Sequence, residues 1–171
     1  RIAERAVHGI ERALLVDGPG TGSALDTRRA AAQFAELGCE VVVVLGGDGT
    51  CRDVAIGWPD VTMIPISTGT NNVFPVFVDG SSAGTAAGLV ASGRLGAGAV
   101  AARAKRLVVD IGHPGRPAER DGALVDDAAV EESGTGARAV VRPDRIRGVV
   151  AAIATPTSTG LSSIAGRTHP L

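Results

Sequence analysis

Tyrosine is absent from this sequence of 171 residues, and aromatic rings are confined to Trp58, Phe34, Phe74 and Phe77. Any core must therefore be built from Val, Ile, Leu and Ala. Cysteine is scarce too. Cys39 and Cys51 are too few and too poorly patterned for a disulfide framework or a zinc site. His8, His113 and His169 form no ligand spacing, so no metal site is expected. Charge of one sign is also missing. A formal net charge of −1 excludes the basic stripe that nucleic acid requires and gives no attraction to anionic membranes. No run approaches the roughly 20 apolar residues of a membrane span. The opening "RIAERAVHGIERALLV" lacks the compact apolar core of a signal peptide. Together these absences read as a reducing, cytoplasmic setting with neither nucleic acid nor membrane as partner.

What is present is 44% hydrophobic residues against 20% charged, enough to pack one domain or two small ones. Arg12–Val16 reads as a strand start and "DGPGTG" as a plain turn. Asp26 is a good helix N-cap, and the helix after it places Ala30, Ala31, Phe34 and Leu37 on one face before stopping at Gly38. Glu40–Leu45 is a continuous β-branched run of the kind buried on both faces of a parallel sheet. A helix over Thr50–Gly57, a turn at Trp58–Asp60, a strand over Val61–Ile66 and a helix over Ser82–Ser92 follow. This alternation predicts a doubly wound α/β domain over residues 1–95.

The pattern changes within Leu95–Ala104. Arg106–Ile111, Ala123–Val130, Ala137–Val141 and Val149–Ala154 are strand candidates joined by turn chemistry such as "GHPGRP". Residues 105–171 are therefore expected to form an all-β, sandwich-like second domain, mostly antiparallel by its short links. The chain begins inside a charged helical pattern and stops at "AGRTHPL", so it reads as an excerpt truncated at both ends.

Three loops could carry chemistry. The first, Gly46-Gly47-Asp48-Gly49-Thr50, follows a buried strand and opens a helix, where backbone N–H groups and the helix dipole suit a phosphate. No lysine follows as in a P-loop, and Arg52 stands where a dinucleotide fingerprint needs its third glycine. Asp48 repels phosphate unless it binds a metal or takes a proton from an attacking hydroxyl. Both are jobs in phosphoryl transfer. A plain strand-to-helix turn capped by Asp48 is the alternative. The second loop, Ser67-Thr68-Gly69-Thr70-Asn71-Asn72, offers hydroxyls and amides without charge, or is simply a polar turn. Adjacent parallel strands would set these two loops on one sheet edge, where α/β sheets bind ligands. The third, Ala154–Ser163, is dense in hydroxyls and would be the second wall if the two halves face each other. Cys51 reads as a small buried residue, and the Arg103, Lys105, Arg106 cluster as a solvated face.

The order "GGDGT", then "PISTGTNN", then a β-rich half carrying "TPTSTG" resembles the superfamily of NAD kinases and diacylglycerol kinases. It looks most like the acetoin-catabolism X protein branch, over roughly Gly22–Gly166. The resemblance implies a nucleotide between the two domains and Asp48 as general base on the acceptor hydroxyl. It puts Gly46, Gly47, Gly49 and Thr50 near phosphate, with Gly69, Thr70 and Asn71 on the nucleotide. Thr155, Thr157, Ser158 and Thr159 correspond to a further nucleotide loop, in which Leu161 replaces the family's tyrosine. The stretch "ALVDDAAV" matches an acceptor-holding motif, with Asp126 at its acidic position and Val125 where an asparagine is expected. The implied activity is ATP-dependent phosphorylation of the 2′-hydroxyl of NAD ribose, with ATP and Mg²⁺ taken up and a homo-oligomer as the assembled form. Two alternatives stand beside it. One is the same chemistry on a lipid or other small alcohol. The other is a non-catalytic, nucleotide-binding regulator of acetoin catabolism.

Overall fold

The computed structural model describes Leu14–Val16, Gly18, residues 20–112, 114–115, 117–130 and 146–153, together with Thr157, Ser163, Ile164 and Arg167; of Ala129 and Val130 it describes the backbone only. The expected first strand is not formed where it can be followed: Leu14–Val16 have no regular structure, and Leu15 is fully open to solvent. Arg12 and Ala13 lie outside the described residues.

Helix α1 spans Ala24–Glu36, and its cap lies three residues before the Asp26 cap read from the sequence. Ser23 is the cap, its hydroxyl accepting the Leu25 N–H at 3.3 Å. Asp26 sits one turn in and reaches back, accepting the Gly22 N–H and the Thr21 hydroxyl, each at 2.8 Å. An acid at this position serves the orphan amides of a helix start as well as one at the cap, so the two residues share the task. The exit at Gly38 is as expected. Its φ of 72° lets its N–H reach the Ala35 carbonyl while the Cys39 N–H closes on Phe34, both at 3.0 Å. Ala31 carries the buried face, whereas Leu37, at the C-cap, is exposed.

Strand β1 (Val42–Gly46), helix α2 (Asp48–Gly57) and strand β2 (Met63–Ser67) make a parallel β-α-β unit, Val42 pairing with Met63 and Gly46 with Ser67. The unit confirms the strand–helix alternation but corrects two details. Strand β1 is not covered on both sides: Val44 is 3% exposed, whereas Val43 and Leu45 are 41% and 67% exposed. The all-apolar run hides this alternation, because valine serves either face and only the packing of neighbours assigns it. Helix α2 also begins at Asp48 rather than Thr50, with Gly47 as its N-cap. Helix α3 (Gly80–Ala91), capped by Asp79, follows a short stretch in which Val76 joins the free side of β2 in parallel.

A four-residue helix α4 (Ala97–Val100) stands in the expected linker. Beyond it, β3 (Leu107–Ile111) pairs antiparallel with β4 (Glu119–Ala123), and β5 (Asp126–Val130) pairs antiparallel with β6 (Ile146–Ala151). The run Ala123–Val130, read as one strand, is therefore split. Leu124 and Val125 lie between the two ladders, with their side chains buried at 5% and 6% exposure. The Ala137–Val141 candidate lies outside the described residues. Among the described residues the strands form three two-stranded sheets and no closed barrel, so a complete sandwich goes beyond the pairings seen.

The core joins the two halves. Ala31, Val44, Cys51, Val54 and Ala55 form a buried cluster with Leu124, and Val42, Trp58, Val61, Met63 and Phe74 pack against it. Only three of its members are aliphatic residues larger than alanine, so Leu124 matters. Burying such a side chain contributes about 1.5–3 kcal/mol, and here it is contributed by the β-rich half to the α/β half.

Candidate functional site

Because β1 and β2 are parallel neighbours, both of their C-terminal loops emerge on one edge of the sheet. The Thr68 N–H donates to the Gly46 carbonyl at 3.2 Å, tying the loops at their roots. Asn72 ties them further out. Its Oδ1 faces the Asp48 N–H at 3.4 Å, and its Nδ2 donates to the Ser67 hydroxyl at 2.8 Å. Ser67 in turn donates to the Gly69 carbonyl at 3.1 Å. Of Ser67 and Asn72, singled out as ligand groups from the sequence, Asn72 thus ties the two loops and Ser67 braces the second loop from within. Thr68, Thr70 and Asn71 are exposed at the same edge.

Asp48 is the first residue of α2. Its Oδ1 accepts the Phe74 N–H at 2.8 Å, and both carboxylate oxygens lie 3.1 Å from the Val73 N–H. The carboxylate is therefore a clamp across the two loops as well as a charge at the sheet edge. An ionised carboxylate has about four acceptor positions, so room remains for a further donor. The Val73 and Phe74 amides were not legible in the sequence, since backbone donors leave no mark in residue identity.

The glycines of the first loop divide into two kinds. A Cβ on Gly46 would stand 2.5 Å from Thr50 Oγ1, and one on Gly47 2.7 Å from Asn72 Oδ1. These two are glycine because protein atoms occupy the space. Gly49 has nothing within 4 Å of its Cβ position and faces outward. Among the described residues, the N–H groups of Gly49 and Thr50 meet no acceptor. The open side of the loop is therefore a helix start with free N–H donors and no side chain in front of it, a cradle suited to an anion. Phosphate fits this donor set. Mg²⁺ is not provided for in the same way: among the described residues no three His, Cys, Asp or Glu side chains converge. A magnesium ion would enter held mainly by phosphate oxygens and water.

Cys51, one turn into α2, is fully buried. Burial, and then the negative charge of Asp48, push its thiol up to about 11, so it stays a neutral, inert group at ordinary pH.

A charged network links this helix to the second half. Arg52 donates through Nε to the Gly122 carbonyl and through Nη2 to the Asp121 carboxylate, and its Nη1 lies 3.4 Å from Asp53. Arg28 of α1 donates to the same Asp53 oxygen at 2.9 Å and lies 3.9 Å from Asp121. Asp53 is only 7% exposed and is paired with both guanidinium groups. None of these four residues stood out in the sequence. Arg52 was legible only as the residue that spoils a dinucleotide fingerprint.

Asp126 opens β5 opposite Ala151 and is half-buried. The Val125 carbonyl just before it accepts the N–H groups of Ala152 and Ile153 at 2.7 and 3.2 Å. That anchors the chain entering the third loop. Of that loop only Thr157 is among the described residues of the predicted set; Thr155, Ser158 and Thr159 lie outside them.

Residues 3–95 match the family of ATP-NAD kinase N-terminal domains, and residues 105–171 match the C-terminal domain of acetoin catabolism protein X. Acetoin catabolism protein X of Cupriavidus necator is 40% identical over 156 residues, covering 91% of this chain and 44% of that protein. The chain thus spans about half the length of the curated relative it matches. No solved structure matches it. With the two glycine loops on one parallel-strand edge and the family match over more than half of its length, the chain belongs to the NAD kinase family, in the branch of acetoin catabolism protein X.

Proposed function

We propose that the protein transfers the γ-phosphoryl group of ATP to the 2′-hydroxyl of NAD ribose, giving NADP and ADP. One observation carries this reading. The two loops interlock around Asp48 and leave the Gly49 side of the helix start open, with the Gly49 and Thr50 N–H groups meeting no acceptor among the described residues. The open side receives phosphate oxygens. Thr68, Thr70 and Asn71, exposed on the same edge, face the rest of a nucleotide, and Asp126 faces the acceptor. Thr155, Thr157, Ser158 and Thr159 are proposed for the opposite wall. Asp48, already held in place by Val73 and Phe74, uses its remaining acceptor capacity on the acceptor hydroxyl. It takes the proton as the hydroxyl oxygen bonds to the γ-phosphorus and the bond to the ADP oxygen breaks. Positioning and charge neutralisation dominate such a transfer, so pre-held loops are the main contribution a protein can make. Mg²⁺, arriving with ATP, supplies further neutralisation of the phosphates.

The test is an assay for NADP, read by an NADP-specific dehydrogenase, with NAD and MgATP as substrates. NADP formation that is lost in Asp48→Asn supports the reading. One specific observation favours a second one. Val125, where the resemblance expects an asparagine, buries its side chain and presents no amide to an acceptor. Binding of NAD or ATP without phosphoryl transfer to NAD, a lipid or any small alcohol would establish a nucleotide-binding protein of acetoin catabolism instead.

A further inference from the structure

The network around Arg52 sits apart from the open side of the loops, yet it joins the helix that carries Asp48 to the strand that leads to Asp126. Arg52 is one turn along α2 from Asp48. Its guanidinium holds the backbone of β4 at Gly122 and the side chain of Asp121. Two residues on, Leu124 is buried in the cluster that includes Cys51 and Val54 of the same helix. The next carbonyl, that of Val125, holds Ala152 and Ile153 at the entry to the third loop. Asp126 follows directly. A chain of short contacts therefore runs from the helix that carries Asp48 to the acidic residue and to the loop of the opposite wall. Its links are hydrogen bonds, the buried Leu124 side chain and the consecutive residues Gly122–Asp126.

We infer that Arg52, with Asp121, is a positioning pair that sets the distance between the Asp48 helix and the acceptor-side segment Val125–Asp126. This rests on the proposed nucleotide site and assigns residues that act on it from outside. The guanidinium suits the task. It is planar, always charged and able to hold a carbonyl and a carboxylate at once, which a lysine ammonium cannot reproduce in one geometry. Asp53 and Arg28 fix the guanidinium plane from the other side, with Arg28 donating to Asp53 at 2.9 Å. The first two loops are held by a separate set of bonds among Asp48, Ser67, Asn72, Val73 and Phe74. Loosening Arg52 should therefore disturb the acceptor side and leave the ATP side alone.

The experiment measures NAD and MgATP binding by calorimetry, and thermal unfolding, for the wild type, Arg52→Lys, Asp121→Asn and the double variant. The expected result for Arg52→Lys is NAD affinity weakened by about tenfold with MgATP affinity changed by less than about twofold. Asp121→Asn should do the same, and the double variant should be no worse than either, because both remove one link. Arg52→Lys keeps the charge and the aliphatic stem, so the fold is retained. Unchanged NAD affinity in both single variants overturns the proposal. So does a parallel loss of both affinities that follows the melting temperature, the mark of a purely structural role. Wild type that binds both nucleotides but forms no NADP overturns the proposed activity alone, and the affinity split still decides the role of Arg52. Wild type that binds neither nucleotide overturns both.

Discussion

The Asp48 carboxylate accepts the Phe74 N–H at 2.8 Å, joining the first residue of helix α2 to a backbone group 26 positions further along. The Val73 N–H lies 3.1 Å from the same carboxylate. Asp48→Asn keeps the size but replaces an acceptor-only group with one that also donates. Thermal unfolding should show a loss of about 1–3 kcal/mol, the cost of leaving such donors poorly satisfied. NADP formation should fall much further than this loss accounts for. A fall in activity matched by the fraction unfolded would remove Asp48 from the chemistry and leave it as a clamp.

Gly47 and Asn72 form a second pair across the loops. A methyl group on Gly47 would stand 2.7 Å from Asn72 Oδ1, so Gly47→Ala should destabilise the protein and weaken nucleotide binding. Adding Asn72→Ala should relieve part of that loss, although Asn72→Ala alone is harmful because it frees Ser67. The double-mutant cycle should show coupling of about 0.5–3 kcal/mol. Simple additivity of the two changes would refute the close approach.

Gly49 is predicted to behave in the opposite way. Nothing lies within 4 Å of its Cβ position, and it occupies the first turn of a helix. Gly49→Ala should leave the melting temperature unchanged or raise stability by up to about 1 kcal/mol, since alanine loses less backbone entropy there. Phosphate-bearing nucleotides should bind more weakly, because the methyl group stands on the open side of the N–H cradle. Tighter or unchanged binding, measured by calorimetry, would exclude this face as the phosphate site.

The two cysteines should separate cleanly under a thiol reagent. Cys51 is fully buried and its thiol is pushed up to about 11, while Cys39 is partly exposed. At pH 8 the folded protein should take up one label, at Cys39, and the denatured protein two. Rapid native labelling of Cys51, located by mass spectrometry, would show that helix α2 opens.

Acid stability should depend on helix-start carboxylates. Hydrogen bonds from Thr21 to Asp26 and from Ser82 to Asp79 hold both acids below the ordinary value of 3.8. A depressed folded pKa gives stability that is fully present above the unfolded pKa and lost as pH falls through the folded one. Asp26→Asn and Asp79→Asn should therefore lower the melting temperature at pH 7. The gap to wild type should shrink below about pH 4 and close on further acidification. A gap that stays constant across this range would mean that shape, not charge, sets the effect.

Much of the candidate site was legible in the sequence because the relevant information is local. Glycines after a β-branched run, an acid among them and a hydroxyl-rich loop after the next strand specify two polar turns. The parallel pairing of β1 with β2 follows from the helix between them. The Gly38 helix stop was legible for the same reason, since a left-handed residue at a helix exit is a local requirement. Less legible were choices between near-equal local options. Ser23 and Asp26 are both good caps, and the valines of β1 suit a buried or an open face equally.

The residue types themselves determined that the core is largely aliphatic and that two polar glycine loops meet at a sheet edge. They also determined which glycine pattern it is not. Tertiary structure alone decided what the polar atoms do once they meet. Asn72 reaches the first loop while bonding Ser67, Asp48 is held by the amides of Val73 and Phe74, and Arg52 crosses to Asp121 and Gly122. The physical reason is that a hydrogen bond needs distance and direction between groups far apart in the chain. Nothing in the identity of Arg52 or Phe74 records a partner 70 or 26 positions away.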